Sequence, residues 1–294
     1  MRFLEVAYMN ADIKIIDTDK IIEAVAELCI ESNIHLCEDI HKALLVSQEL
    51  ETSPQAKTAL DLILKNADAA KKEQLPICQD TGMAVVFVKI GSNIHINGDI
   101  NDAINEGVRQ GYRQGYLRNS IVNDPIKRIN TKDNTPAVIY YEFIPGDELI
   151  ITVAPKGFGS ENMSGIRMLT PSDGIEGVNK FVLETVQKAG SNPCPPIIVG
   201  VGIGGTMEKA ALLSKQALLR KVGSVNTDSF WAKIESDLLT KINELNIGAA
   251  GFGGKTTALG VHILTYPTHI AGLPVAVNIG CHVTRHKTIV LSGQ

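Results

Sequence analysis

The chain has 294 residues, 44% of them hydrophobic and only 5% aromatic, with 28 Lys and Arg against 32 Asp and Glu for a formal charge of −4. This is the composition of an ordinary soluble globular protein, outside the collagen-like and disordered classes, and a chain of this size buries roughly 75% of its unfolded surface. With no basic surplus and no long Lys/Arg run there are few counterions to release, so small molecules are favoured over nucleic acid or an anionic membrane as partners.

Met1 to Glu5 are soon followed by Asp12, Lys14 and Asp17, so no apolar stretch long enough for a signal peptide develops. The most apolar segments, such as 197–203, are far shorter than the ~20 residues of a membrane helix. Five widely spaced cysteines, an odd number, read as reduced thiols in the cytoplasm.

In chain order, the first 75 residues read as helices. Ile21, Ile22, Val25, Leu28 and Cys29 recur at helical spacing after Asp17-Thr18, and a second helix runs through Ile40, Ala43, Leu44 and Ser47. The third starts with Ser53 as cap and Pro54 in the first turn, followed by Leu60, Ile63, Leu64 and Ala67 on one face. After Pro76 come short strands rich in Val, Ile and Tyr at 84–90, 137–143 and 149–153, with helices at 99–116 and 175–189. A buried strand at 197–201, helices at 206–219 and 228–245, and strands at 260–266, 275–279 and 288–291 complete the pattern, while the polar stretch 123–136 reads as a long surface loop. The expectation is a mixed α/β (α+β) fold, with a helical part over 1–75 and an α/β body over 76–294.

Gly200 to Gly205 match G-x-G-x-x-G between an apolar run and a helix, the setting of a dinucleotide site. No acidic residue ends a second strand about 20 positions on, so a tight strand-to-helix turn is the better reading, with a nucleotide-dependent oxidoreductase as the alternative. Gly253-Gly254-Lys255-Thr256 has the tail of a P-loop, but Ala249 stands where the first glycine belongs, which leaves a flexible turn near a substrate anion. Cys78, Cys194 and Cys281 each sit at a Gly- or Pro-marked turn or strand end, whereas Cys29 lies on an apolar helical stripe and Cys37 in a helix connection, where thiols act as small buried hydrophobes. Thiolates gathered from distant turns suit an iron–sulfur cluster, and the lack of paired C-x-x-C spacing argues against structural zinc.

Four segments together, Pro76-Ile77-Cys78-Gln79-Asp80-Thr81-Gly82, Lys156 to Asn162, Cys194-Pro195-Pro196 with its glycine run, and Gly251 to Thr257, resemble the iron–sulfur hydro-lyase family over essentially the whole chain. The resemblance is to its class I fumarate hydratase α subunits, with the α subunits of L(+)-tartrate dehydratase as close relatives. It implies a [4Fe-4S] cluster on Cys78, Cys194 and Cys281, with a fourth iron open to substrate, and reversible hydration of fumarate to L-malate. It also implies that Gln79 and Asp80 lie against the substrate, Asp80 assisting proton transfer, that Arg118 grips a carboxylate, and that the Gly157 to Gly159 backbone supplies N–H donors. His269, twelve positions before Cys281, would hydrogen-bond near the substrate hydroxyl. His282, Arg285 and Lys255 receive no role. Single-chain members continue into a second domain beyond the point where this chain stops at Gln294, so the resemblance implies a separate β subunit in an α2β2 assembly.

Overall fold

A computed structural model describes residues 13–294. In chain order the elements are β1 (Lys14–Asp17), α1 (Thr18–Ile34), α2 (Glu38–Leu50), α3 (Pro54–Glu73), β2 (Met83–Gly91), β3 (Ile94–Asn97), α4 (Ile100–Gln114), β4 (Val138–Ile144) and β5 (Glu148–Lys156). They continue with the short α5 (Phe158–Glu161), β6 (Gly165–Leu169), α6 (Gly174–Ala189), β7 (Ile197–Gly204), α7 (Met207–Ala217), α8 (Ser229–Glu244), β8 (Ala258–Tyr266), β9 (Leu273–Gly280) and β10 (Lys287–Ser292). This is the expected mixed α/β fold. Among the described residues no helix is long and apolar enough to cross a membrane.

The chain divides into two compact units that interleave in sequence. One takes the described residues up to Glu31 with Ala84–Ala154 and Lys287–Gln294, the other Ser32–Met83 with Pro155–His286. The helical stretch of the first 75 residues is therefore shared between the units, and its described part opens with strand β1, which pairs in parallel with β3.

The first unit is built on the sheet β10-β5-β2-β4, antiparallel at β10/β5 and parallel at β2/β4. Val86 and Val88 of β2 and Leu149, Ile151 and Val153 of β5 share a core with Ile21, Val25 and Cys29 of α1 and Ile104, Val108 and Tyr112 of α4. Asp99 caps α4 by accepting from the N–H groups of Asn101 and Asp102, and α4 is amphipathic because Ile104, Val108 and Tyr112 fall on one helical face.

The second unit is built on the sheet β6-β9-β7-β8. Its central strand β7 is buried throughout, and the period of two sorts its residues. Ile197, Val199, Val201 and Ile203 share the core of α6 and α8, each burial worth roughly 1.5–3 kcal/mol. Gly200 and Gly202 face α7 instead: a Cβ at Gly202 would lie 2.1 Å from the Ala210 carbonyl, and one at Gly200 2.2 Å from that of Ser214. The glycine run is thus mostly strand, not the turn expected from the sequence, and its glycines admit a closely packed helix. That accounts for the motif on which the nucleotide reading stood. Helices α2 and α3 belong to this unit as well, α3 starting as expected with the Ser53 side chain accepting from the Ala56 N–H and Pro54 in the first turn.

Candidate metal-cluster site at one end of the second sheet

Strands β7 and β9 run antiparallel, with Ile198 opposite Gly280, so the residues just before β7 and just after β9 meet at one end of the sheet. Cys194 precedes β7 and Cys281 follows β9. Cys78 comes from the turn after α3, where the Ile77 N–H is held by the Asn33 carbonyl and the Ile77 carbonyl accepts from Asn66 Nδ2 at 2.8 Å. Cys78 and Cys281 both pack against a small apolar cluster of Ala70, Ile77 and Val283. Cys194 is exposed and adopts a left-handed backbone, φ 54°.

Cys194 lies within electrostatic reach of both other thiols. Burial raises the Cys194 pKa, and the nearby Cys281 and Cys78 raise it further. Burial raises Cys281 too, opposed by the positive charges of Arg285 and Lys156. Among the described residues, however, no three His, Cys, Asp or Glu side chains could hold a single metal ion. Thiols brought together from separate turns are the donor type that an iron–sulfur group takes. Cys29 is different in kind: it is fully buried in the α1 core, which pushes its thiol up to about 12. Cys37 precedes α2 and is half-buried, its Sγ 3.7 Å from the His286 carbonyl.

The turn after β5 completes this end of the sheet. Gly82, at φ 77°, lets the Cys78 turn lie against the main chain of Lys156, since a Cβ there would come within 2.8 Å of that backbone. One Asp80 oxygen accepts from the Phe158 N–H at 2.9 Å and the other from the Gly82 N–H at 3.1 Å. Gly157 gives the carboxylate room, its missing Cβ falling 3.1 Å from Asp80 Oδ2. Gln79 and Gly159 are exposed beside these groups in sequence.

Behind the turn lies a charge network absent from the sequence reading. Glu161 accepts from Lys215 Nζ at 2.7 Å and Asn278 Nδ2 at 3.1 Å, with Lys156 Nζ at 3.3 Å, and Lys156 also reaches Ser160 Oγ at 2.7 Å. Burial alone would raise Glu161, but the two lysines hold it below the usual carboxylate range. Burial pushes Lys156 down to about 8 against the pull of Glu161. Two ammonium groups on one carboxylate leave a net positive charge close to Cys281. Lys156 and Glu161 bracket the quoted glycine motif and could have been picked out from it. Lys215 and Asn278 carried no such signal, because only the packing of α7 and β9 brings them in.

One expected residue is not gathered with the thiols. His269 lies between β8 and β9, at the opposite end of the sheet from Cys281; at about 3.3 Å per residue, β9 separates the two ends by more than 20 Å. Its own surroundings are apolar, a cleft of about 400 Å³ lined by Ile175, Phe230, Trp231, Ile270 and Leu273. His269 thus stands apart from the three thiols within its own chain. Arg118 is exposed and belongs to the first unit, after α4. The Gly253–Thr256 turn is held by internal acceptors: Glu51 Oε2 accepts the Lys255 N–H at 2.8 Å, and Asn246 Oδ1 accepts that of Gly254.

The sequence model of the family described as fumarate hydratase (Fumerase) matches residues 22–290. The chain belongs to this family. A Methanocaldococcus jannaschii protein, provisionally named as an L(+)-tartrate dehydratase subunit alpha, is 45% identical over 273 residues, covering 90% of this chain and 95% of its own. The L(+)-tartrate dehydratase subunits alpha of Escherichia coli K12 (32% identical; 93% of this chain, 91% of theirs) and of E. coli UTI89 (33%; 92% and 90%) are similar over nearly the same span. The chain is thus a hydro-lyase of the fumarate hydratase and tartrate dehydratase α type.

Proposed function

We propose that this chain is the α subunit of a hydro-lyase that holds a [4Fe-4S] cluster on Cys78, Cys194 and Cys281 and adds water reversibly to fumarate to give L-malate. The observation that carries the reading is the meeting of three interacting thiols from three separate turns at one sheet end, next to a net positive charge. The cluster supplies a Lewis-acidic iron that polarises a substrate hydroxyl and carboxylate.

The chain's own residues do the rest. The Lys156–Lys215–Glu161 network biases the site toward a dianionic substrate, and the main chain at Gly157 and Gly159 offers N–H donors to its carboxylate. Asp80, oriented by one main-chain donor on each oxygen, keeps lone pairs for a proton and assists its transfer. Gln79, adjacent to both Cys78 and Asp80, hydrogen-bonds the substrate, and Arg118 binds a carboxylate. The site is completed by a separate β subunit, as the relatives' designation as α subunits suggests, in an α2β2 assembly. Free thiols of this kind suit a reducing, cytoplasmic setting.

A second reading, dehydration of L(+)-tartrate, is favoured by the names of the similar proteins. The test is to reconstitute the chain anaerobically with iron and sulfide, add the candidate β chain, and follow fumarate, L-malate and L(+)-tartrate in parallel. Interconversion of fumarate and malate supports the first reading, and turnover of tartrate alone moves the assignment to the second. A loaded αβ enzyme inert toward all three would contradict both.

A further inference from the structure

The residues after Cys281 hold the other two cysteine turns. His282 donates its main-chain N–H, at 3.5 Å, and its ring Nδ1–H, at 2.8 Å, to the carbonyl oxygen of Cys194; the ring nitrogen is the donor because its partner is a carbonyl. Arg285, only 4% exposed, donates Nη2–H to the carbonyl oxygen of Asp80, two residues after Cys78. The turn itself is closed by Thr284, whose N–H and hydroxyl both reach the Cys281 carbonyl. One short segment therefore carries one thiol and grips the main chain beside the other two. Neither grip uses a sulfur atom.

Arg285 has a further feature. Its Nε–H is buried and has no acceptor among the described residues, although buried donors are almost always paired. Its guanidinium also lies within electrostatic reach of Cys281.

Resting on the cluster reading above, we propose that the Cys281–Arg285 turn sets the spacing of the three thiols before metal arrives, with His282 and Arg285 as its positioning residues. Arg285 Nε–H then donates to a sulfur anion of the bound cluster. A hydrogen bond to sulfur favours the more reduced cluster, so its removal lowers the reduction potential.

The experiment uses the full chain, reconstituted anaerobically with ferrous iron and sulfide, as wild type and as His282→Leu, His282→Asn, Arg285→Met and Arg285→Lys. The readouts are iron and sulfide per chain, the half-life of the cluster under an iron chelator, and its midpoint potential by voltammetry. His282→Leu and Arg285→Met are expected to release iron about tenfold faster than wild type, the scale of lost outer-shell support. His282→Asn, whose side-chain amide replaces the ring donor, restores most of the half-life. Arg285→Lys keeps the charge but not the planar donor set, and its potential falls; it also carries the test should Arg285→Met fail to fold. A folded His282→Leu that keeps the wild-type half-life overturns the positioning role, and an unchanged potential in Arg285→Lys overturns the donation to sulfur. A wild-type chain that takes up no iron would instead overturn the cluster reading and this inference with it.

Discussion

The seam between α1 and α4 and the turns around Asp80 use the same two small residue types, cysteine and glycine, to opposite ends. At the seam, Gly111 of α4 lies so close to α1 that a Cβ would sit 2.7 Å from the Ala26 carbonyl and 2.9 Å from Cys29 Cβ. Cys29 there is a fully buried, apolar filler with a thiol pushed up to about 12. At the turns, Gly157 makes room for a carboxylate, and the Cys281 thiol lies near the positive charges of Arg285 and Lys156. The neighbours, and not the residue type, separate packing from chemistry: a helical apolar stripe in one region, Pro- and Gly-marked turns with Asp, Lys and Arg in the other.

The largest effect that sharpens this contrast is expected from Glu161→Gln, which leaves two buried ammonium groups without their carboxylate. Its stability should fall by about 3 kcal/mol, the scale for breaking a buried ion pair from one side. The deficit should be greatest at mildly acidic pH, where Lys156 is charged, and shrink as the pH rises toward about 8, the value to which burial has brought Lys156. Denaturant melts across that range check both size and sign; a pH-independent loss would mean that the network is not governed by charge.

Next comes Gly111→Val, which overpacks the α1–α4 seam and should cost about 2 kcal/mol. Iron per folded chain should stay at the wild-type level. A loss of iron in the folded variant would break the distinction between the two regions.

Gly157→Ala is the counterpart at the turns. The added methyl meets Asp80 Oδ2 at 3.1 Å, a contact that a slight shift relieves, so the melting temperature should barely change. Displacing the carboxylate should nonetheless lower kcat/KM of the αβ enzyme roughly tenfold, since catalysis is sensitive to small misplacements. Steady-state kinetics beside a thermal melt separates the two effects, and equal activity would remove Asp80 from the proton-handling role.

Much of the fold was legible because its local signals agreed with its packing. Ser53-Pro54 started α3 as expected, and the Val/Ile runs of β2, β5 and β7 became buried strands. β1 and β3 were missed because four residues give no period to read. β6 was missed because it is a sheet-edge strand whose Ile166 and Met168 are exposed, so no inward and outward alternation marks it. The glycines of β7 read as a turn since nothing local announces α7 against them. At the site, each cysteine turn was visible on its own, but the partners of Glu161 come from α7 and β9, 54 and 117 residues away. His269 stands apart from Cys281 for a related reason: twelve positions in sequence include the length of β9, which carries the chain from one end of the sheet to the other.

The most direct measurement of the central claim is a count of iron and acid-labile sulfide in five single Cys→Ser variants, each reconstituted anaerobically beside the wild type. Cys29→Ser and Cys37→Ser should carry the wild-type complement, while Cys78→Ser, Cys194→Ser and Cys281→Ser should each carry little or none. A full cluster in folded Cys78→Ser, Cys194→Ser or Cys281→Ser, or its loss from folded Cys29→Ser, would contradict the assignment of the three turns as its ligands.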